Sequence, residues 1–166
     1  MRVLGIDCGS EVTGYGVVED LDGRDLHCIA SGVVKARARD ALPRRLDAIC
    51  RELRRVIALH RPDVVAIEDV FYALNAKSAL KLGHVRGVAM LAAAAEGLEV
   101  AEYAPLAIKS AVVGYGRAGK SQVQHMVARL LRLESPPSPS DVADALAIAI
   151  CHLHTAATLE RQAAPR

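Results

Sequence analysis

Arg2-Val3-Leu4-Gly5-Ile6-Asp7, followed by the turn residues Cys8-Gly9-Ser10, is the stretch on which the fold depends. It is short and apolar and closes in a charge, the pattern of a buried strand whose last residue emerges at a sheet edge. Two more segments rich in Val, Ile and Leu, 14–19 and 27–34, are set off by turn residues such as Gly9-Ser10 and Asp22-Gly23. Together they predict three strands joined by hairpins. Leu46, Ile49, Cys50, Leu53, Val56 and Ile57 then recur at three- and four-residue spacing, which predicts an amphipathic helix over 43–60, ended by Pro62. Val64-Val65-Ala66-Ile67-Glu68 reads as a fourth strand, entered from a helix and therefore parallel to the first.

An Ala-rich helix is expected over 76–96, a fifth strand over 100–103, and helices over 104–113, 120–133 and 139–157. Gly83 and Gly87, one turn apart, would admit a close backbone neighbour, either the sheet or a second subunit. The expected architecture is α/β: a five-stranded mixed sheet flanked by helices, forming one domain over 1–158. Residues 159–166 should be a polar, disordered tail. A chain of 166 residues buries roughly 70% of its unfolded surface as one core.

Net charge is +2, too small for nucleic-acid binding through bulk charge, so the distribution of cations matters more than their sum. They gather at Lys35, Arg37, Arg39, Arg44, Arg45, Arg51, Arg54 and Arg55, and again from Lys77 to Lys120; ordinary solvated faces account for most of them. Cys8, Cys28, Cys50 and Cys151 are scattered without zinc or disulfide spacing, which fits free thiols in a reducing cytoplasm. No apolar run reads as a signal or membrane segment, so a cytoplasmic protein without membrane association is expected.

Asp7 and Glu68 close neighbouring strands, which brings their carboxylates to one sheet edge, and Asp141 and Asp144 share a face of the last helix. Two carboxylates about 4 Å apart repel by about 4 kcal/mol at an effective dielectric near 20, so a proton or a cation must sit among them. Oxygen donors without thiolates select Mg²⁺ or Mn²⁺. Asp141 also has a plain structural explanation, because Ser138-Pro139-Ser140-Asp141 matches a capping box. Asp69 should turn to the face opposite Glu68 and is left out of the ligand set. His125, His152 and His154 have no metal-site spacing and read as satisfied histidines.

Gly114-Tyr115-Gly116-Arg117-Ala118-Gly119-Lys120-Ser121 fits the pattern of a phosphate-binding loop for ATP. That loop must follow a buried strand and precede a later magnesium-binding strand, whereas helices flank this one. A basic loop touching nucleic-acid phosphate is the better reading.

The sequence resembles the RuvC-type Holliday-junction resolvases, whose fold is ribonuclease-H-like. The residues that carry the resemblance are Leu4-Gly5-Ile6-Asp7-Cys8-Gly9-Ser10 with Val12-Thr13-Gly14-Tyr15-Gly16, Ala66-Ile67-Glu68-Asp69-Val70-Phe71, Ser78 to Gly83, Lys120 to Met126, and Asp141 to Ala149. The resemblance implies a metal-dependent endonuclease with two divalent ions, Mg²⁺ or Mn²⁺, held by Asp7, Glu68, Asp141 and Asp144. Lys109 and Lys120 would lie near the scissile phosphate, and Phe71, with Tyr72, would meet unstacked bases. Further DNA contacts are expected from Lys77, Lys81, Arg86 and Arg117. The resemblance also implies a homodimer acting on four-way junction DNA in recombination and repair, leaving 5′-phosphates, with a branch-migration helicase as partner. Cys8 and Asp69 depart from the proline and glutamine usual in that family. A junction-binding scaffold that does not cut is the alternative from a different class.

Overall fold

The computed structural model describes residues 1–23, 25–69 and 76–163. Strand β1 (Arg2–Asp7) turns into β2 (Val12–Asp20) and β2 into β3 (Leu26–Lys35), both pairs antiparallel. Helix α1 (Leu42–His60) buries Ile49, Leu53, Val56 and Ile57, the stripe expected from their spacing. It stops at Arg61, held in the left-handed region at φ 47°, with Pro62 immediately after.

Strand β4 (Val64–Glu68) pairs parallel with β1, and β5 (Glu99–Tyr103) with β4, giving the five-stranded mixed sheet β3-β2-β1-β4-β5. Strand alternation divides the core. Leu4, Ile6, Val65 and Ile67 face α1 and α2 (Ala76–Ala95), while Val3, Val18 and Ala66 face α3 (Pro105–Val113), α4 (Lys120–Leu130) and α5 (Ser140–Ala163).

Helix α5 lies on the sheet at backbone contact. A methyl group at Gly5 would come 2.1 Å from the Ala145 carbonyl oxygen, one at Gly14 2.0 Å from that of Asp141, and one at Gly16 2.6 Å from Leu146 Cδ2. The close approach expected at Gly83 and Gly87 is not to the sheet: a methyl at either meets nothing within 4 Å. Those glycines open instead onto a shallow apolar groove with Leu80 and Leu91, each more than 60% exposed.

Three further expectations need correction at α5. Its 24 residues are long and apolar enough, by length and composition, to cross a membrane, but most of its apolar side chains are packed in the protein interior. The helix also runs to Ala163, so residues 159–163 of the expected disordered tail are helical. Thr158 and Arg161 prolong it by donating to the carbonyls of His154 and Ala157. At its start the capping box is not made. Val142 N–H donates to Pro139 O at 3.0 Å, and among the described residues neither Ser138 nor Asp141 makes a side-chain hydrogen bond.

Candidate active site

Three acids meet at the edge of the sheet. Asp7 ends β1, Glu68 ends the adjacent β4, and Asp144 sits on the first turns of α5, all lining a cavity of about 270 Å³. Lys109 from α3 and Lys120 from α4 line it too, over an apolar floor that includes Ile108, Val123 and Ile148. Asp141 stands one turn before Asp144 and outside that lining, although its charge acts on both Asp7 and Asp144.

The charges are crowded enough to change protonation. Burial, then the charges of Asp144, Glu68 and Asp141, push the Asp7 carboxyl up to about 7, against the pull of Lys120. Burial, then Asp144, raises Glu68, with Lys109, Lys120 and Arg86 opposing. Asp144 is raised by burial first and by Asp141, with Lys120 and Lys109 opposing. Lys120 Nζ lies 3.9 Å from Asp144 Oδ2, but it is 76% exposed, so the pair is loose and contributes little to stability. Its ammonium is free to swing toward a ligand.

Among the described residues no three His, Cys, Asp or Glu side chains converge closely enough to chelate an ion as they stand. The donor set of hard oxygens, with cationic lysines at the rim, still fits a divalent cation of the magnesium or manganese type.

The Asp7 shift carries a pH prediction. An acid whose folded value lies above its unfolded value of 3.8 adds stability that is complete below pH 4 and lost as pH rises through about 7. The metal-free protein should therefore lose about 2–4 kcal/mol between pH 5 and pH 8 from this group. A cation competes with the proton, so Mn²⁺ should raise the melting temperature by about 5–10 °C at pH 8 and by almost nothing at pH 5. Equal metal-induced shifts at both pH values in a thermal melt would contradict this account of the site.

The remaining candidates divide. Lys77, Lys81 and Arg117 are exposed. Arg86 is not a DNA-facing cation: its side chain is 14% exposed and bridges Asp69, at 3.5 Å, and Glu102. Both acids project to the α2 side of the sheet, as alternation requires, and they draw the guanidinium under the strand ends. Asp69 is thus kept away from the carboxylate pocket, as expected. Phe71 and Tyr72 lie outside the described residues.

The histidines are satisfied. His125 Nδ1 lies 2.7 Å from the Ser121 carbonyl, His154 Nδ1 3.0 Å from that of Ala111, and His152 Nδ1 2.9 Å from the Tyr103 hydroxyl. The glycine-rich loop leaves α3 at Gly114, φ 90°, and enters α4 at Gly119, whose N–H donates to Gln122 Oε1 at 2.8 Å. Joining two helices, it lacks the strand that an ATP loop requires.

Two residues that shape the site were missed by sequence reasoning. Fully buried Thr13 donates from Oγ1 to Gly9 O at 2.7 Å, and buried Arg45 donates from Nε to Ser10 O at 2.9 Å. They hold the turn after Asp7, which begins with Cys8. Burial and the neighbouring Asp7 charge push the Cys8 thiol up to about 12, which leaves it unreactive. Arg45 was detectable, since it falls on the apolar stripe four residues before Ile49.

A mixed five-stranded sheet with acids at the ends of its first and fourth strands and on its last helix defines a nuclease of the ribonuclease-H-like class. The sequence profile described as "Crossover junction endodeoxyribonuclease RuvC" matches residues 3–152. The chain is 71% identical to the protein of that name from Koribacter versatilis, over 97% of each, and 60% identical to that of Acidobacterium capsulatum, over 98% of each. A solved structure, "T. thermophilus RuvC in complex with Holliday junction substrate", superposes with a TM-score of 0.90 at 35% identity, covering 95% of this chain and 96% of that one. The chain belongs to the RuvC family of crossover junction endodeoxyribonucleases. Membership implies dependence on a divalent metal.

Proposed function

We propose that this protein resolves four-way (Holliday) DNA junctions in recombination and repair by paired, symmetric nicks. The observation that carries the reading is the meeting of Asp7, Glu68 and Asp144 with Lys109 and Lys120 around one cavity. Asp7, Glu68, Asp141 and Asp144 would hold two Mg²⁺ or Mn²⁺ ions, which when bound activate water and offset charge on the leaving oxygen. Asp7 lies deepest in the mutual field of the acids, and a bound cation would favour its ionised form. Lys109, half-buried on α3, would present a cation to the scissile phosphate, and exposed Lys120, 3.9 Å from Asp144, would offset charge developing there. The products carry 5′-phosphate and 3′-hydroxyl ends.

Paired cutting needs two sites, and the open groove around Gly83 and Gly87 supports a homodimer through α2. Exposed Leu80 and Leu91 would supply its apolar contacts. The enzyme would work in the cytoplasm on junctions delivered by a branch-migration helicase.

The test is cleavage of mobile and fixed synthetic junctions in each metal, with nicks mapped on all four strands for wild type and Leu80→Asp. The wild type should nick two opposed strands symmetrically. Leu80→Asp, placing a charge in the groove, should sediment as a monomer and lose paired cutting by about tenfold or more. Binding without nicks in either metal would establish a scaffold instead.

A further inference from the structure

The cations between β3 and α1 are not distributed like those farther along α1. Arg51, Arg54 and Arg55 pair with Asp47, Glu96 and Glu52 at 2.6–2.8 Å, so that face is neutralised by its own acids. Lys35, Arg37, Arg39 and Arg44 are all exposed, and none makes an ion pair among the described residues. The acids close by in sequence or contact are Asp40, half-buried within the segment, Glu11, which faces Arg45 at 3.8 Å, and Asp47, one turn after Arg44 but paired with Arg51.

The segment is also fastened to the active-site end of the sheet. Asp7 pairs with Gly14 and Gly14 with Val33, so Lys35 lies two strands across from Asp7 and two residues beyond its level. By strand spacing and rise that separates them by about 12 Å. Ala36 N–H donates to Glu11 O at 2.9 Å, and Arg45 donates to Ser10 O, so both ends of the segment are tied to the turn that follows Asp7. Four unneutralised cations thus stand on a stretch strapped at both ends to the turn after Asp7.

We propose that Lys35, Arg37, Arg39 and Arg44 form a phosphate-contacting track that grips a DNA arm leaving the cleft on the β3 side. The inference rests on the nuclease reading of the pocket and extends it to where the substrate runs. Nucleic acid is the partner favoured, because the track begins about 12 Å from Asp7 on the same end of the sheet, and no large exposed hydrophobic side chain lies among these residues. Such contacts position the duplex and carry no base information. These residues do not touch the reacting atoms.

The test compares wild type with a variant in which all four are changed to Gln. Junction affinity is measured without metal from 50 to 200 mM salt, followed by single-turnover cutting at saturating protein. Four lost phosphate contacts should make the slope of log affinity against log salt shallower by about 3–4. Affinity at the lowest salt should fall by about a hundredfold or more, with the saturated cutting rate within about threefold and the melting temperature within a few degrees of wild type. Changing the three arginines to Lys should keep the wild-type slope, because any cation neutralises phosphate.

An unchanged slope in the glutamine variant overturns the track and would leave the patch to an acidic protein partner. A fall in saturated cutting with the slope intact also overturns it. A wild type that neither binds nor cuts junctions overturns the nuclease reading itself, an outcome distinct from both.

Discussion

Asp7→Asn should lower junction cutting by at least about a thousandfold while junction affinity, measured without metal, stays within about threefold of wild type. A thousandfold corresponds to about 4 kcal/mol of barrier, the scale of removing one principal charge from a water-excluded site. Asn keeps the volume and one acceptor oxygen but loses the negative charge that would bind a cation. The same change removes the group whose ionisation the other acids oppose most, with its carboxyl pushed up to about 7. The variant should therefore melt higher than wild type at pH 8 in the absence of metal and gain little from added Mn²⁺. Activity and stability move in opposite directions, which separates a lost ligand from a damaged fold. Undiminished cutting by Asp7→Asn would sink the assignment of the site.

Gly14→Ala should slow cutting by about a hundredfold without touching substrate or metal. Its methyl would lie 2.0 Å from the Asp141 carbonyl oxygen and 3.1 Å from Asp141 Cβ, so the first turn of α5 must move. That turn carries Asp141 and Asp144, and a misplacement of about 1 Å in a catalytic constellation costs about a hundredfold in rate. Overpacking at such a contact destabilises by about 1–3 kcal/mol, which lowers the melting temperature by about 3–10 °C. The expected result is a folded protein that binds junctions and cuts them about a hundredfold more slowly. Wild-type cutting by Gly14→Ala would show that α5 tolerates the shift and that its acids are not held by the sheet.

The strands and the acids were legible in the sequence because local signals coincide there. Hydrophobic runs ending in Asp7 and Glu68 mark both a strand and the edge at which it stops, and alternation alone sent Asp69 to the other face. The destination of Arg86 was not legible. Helix α2 is rich in alanine around its circumference, so no sharp apolar stripe shows which side meets the sheet, and a cation near its middle is indistinguishable from a surface one. The close contacts of Gly5 and Gly14 with α5 join residues more than a hundred positions apart, which no local pattern encodes. Gly83 and Gly87 looked like the packing glycines because their one-turn spacing is a local signal, yet the sheet never reaches them. The four-way junction came from family resemblance, since crowded carboxylates specify a cation and leave the substrate open.

The packing of α5 against the first hairpin also sets when the enzyme can exist. Asp7 lies more than 130 residues before Asp141 and Asp144 in the chain, and only docking of α5 against Gly5, Gly14 and Gly16 joins them. During synthesis the sheet can begin to form from its N-terminal strands, but the nascent chain lacks half of its acids until α5 leaves the ribosome. A nuclease built this way gains its full set of acids only once α5 has docked on the sheet.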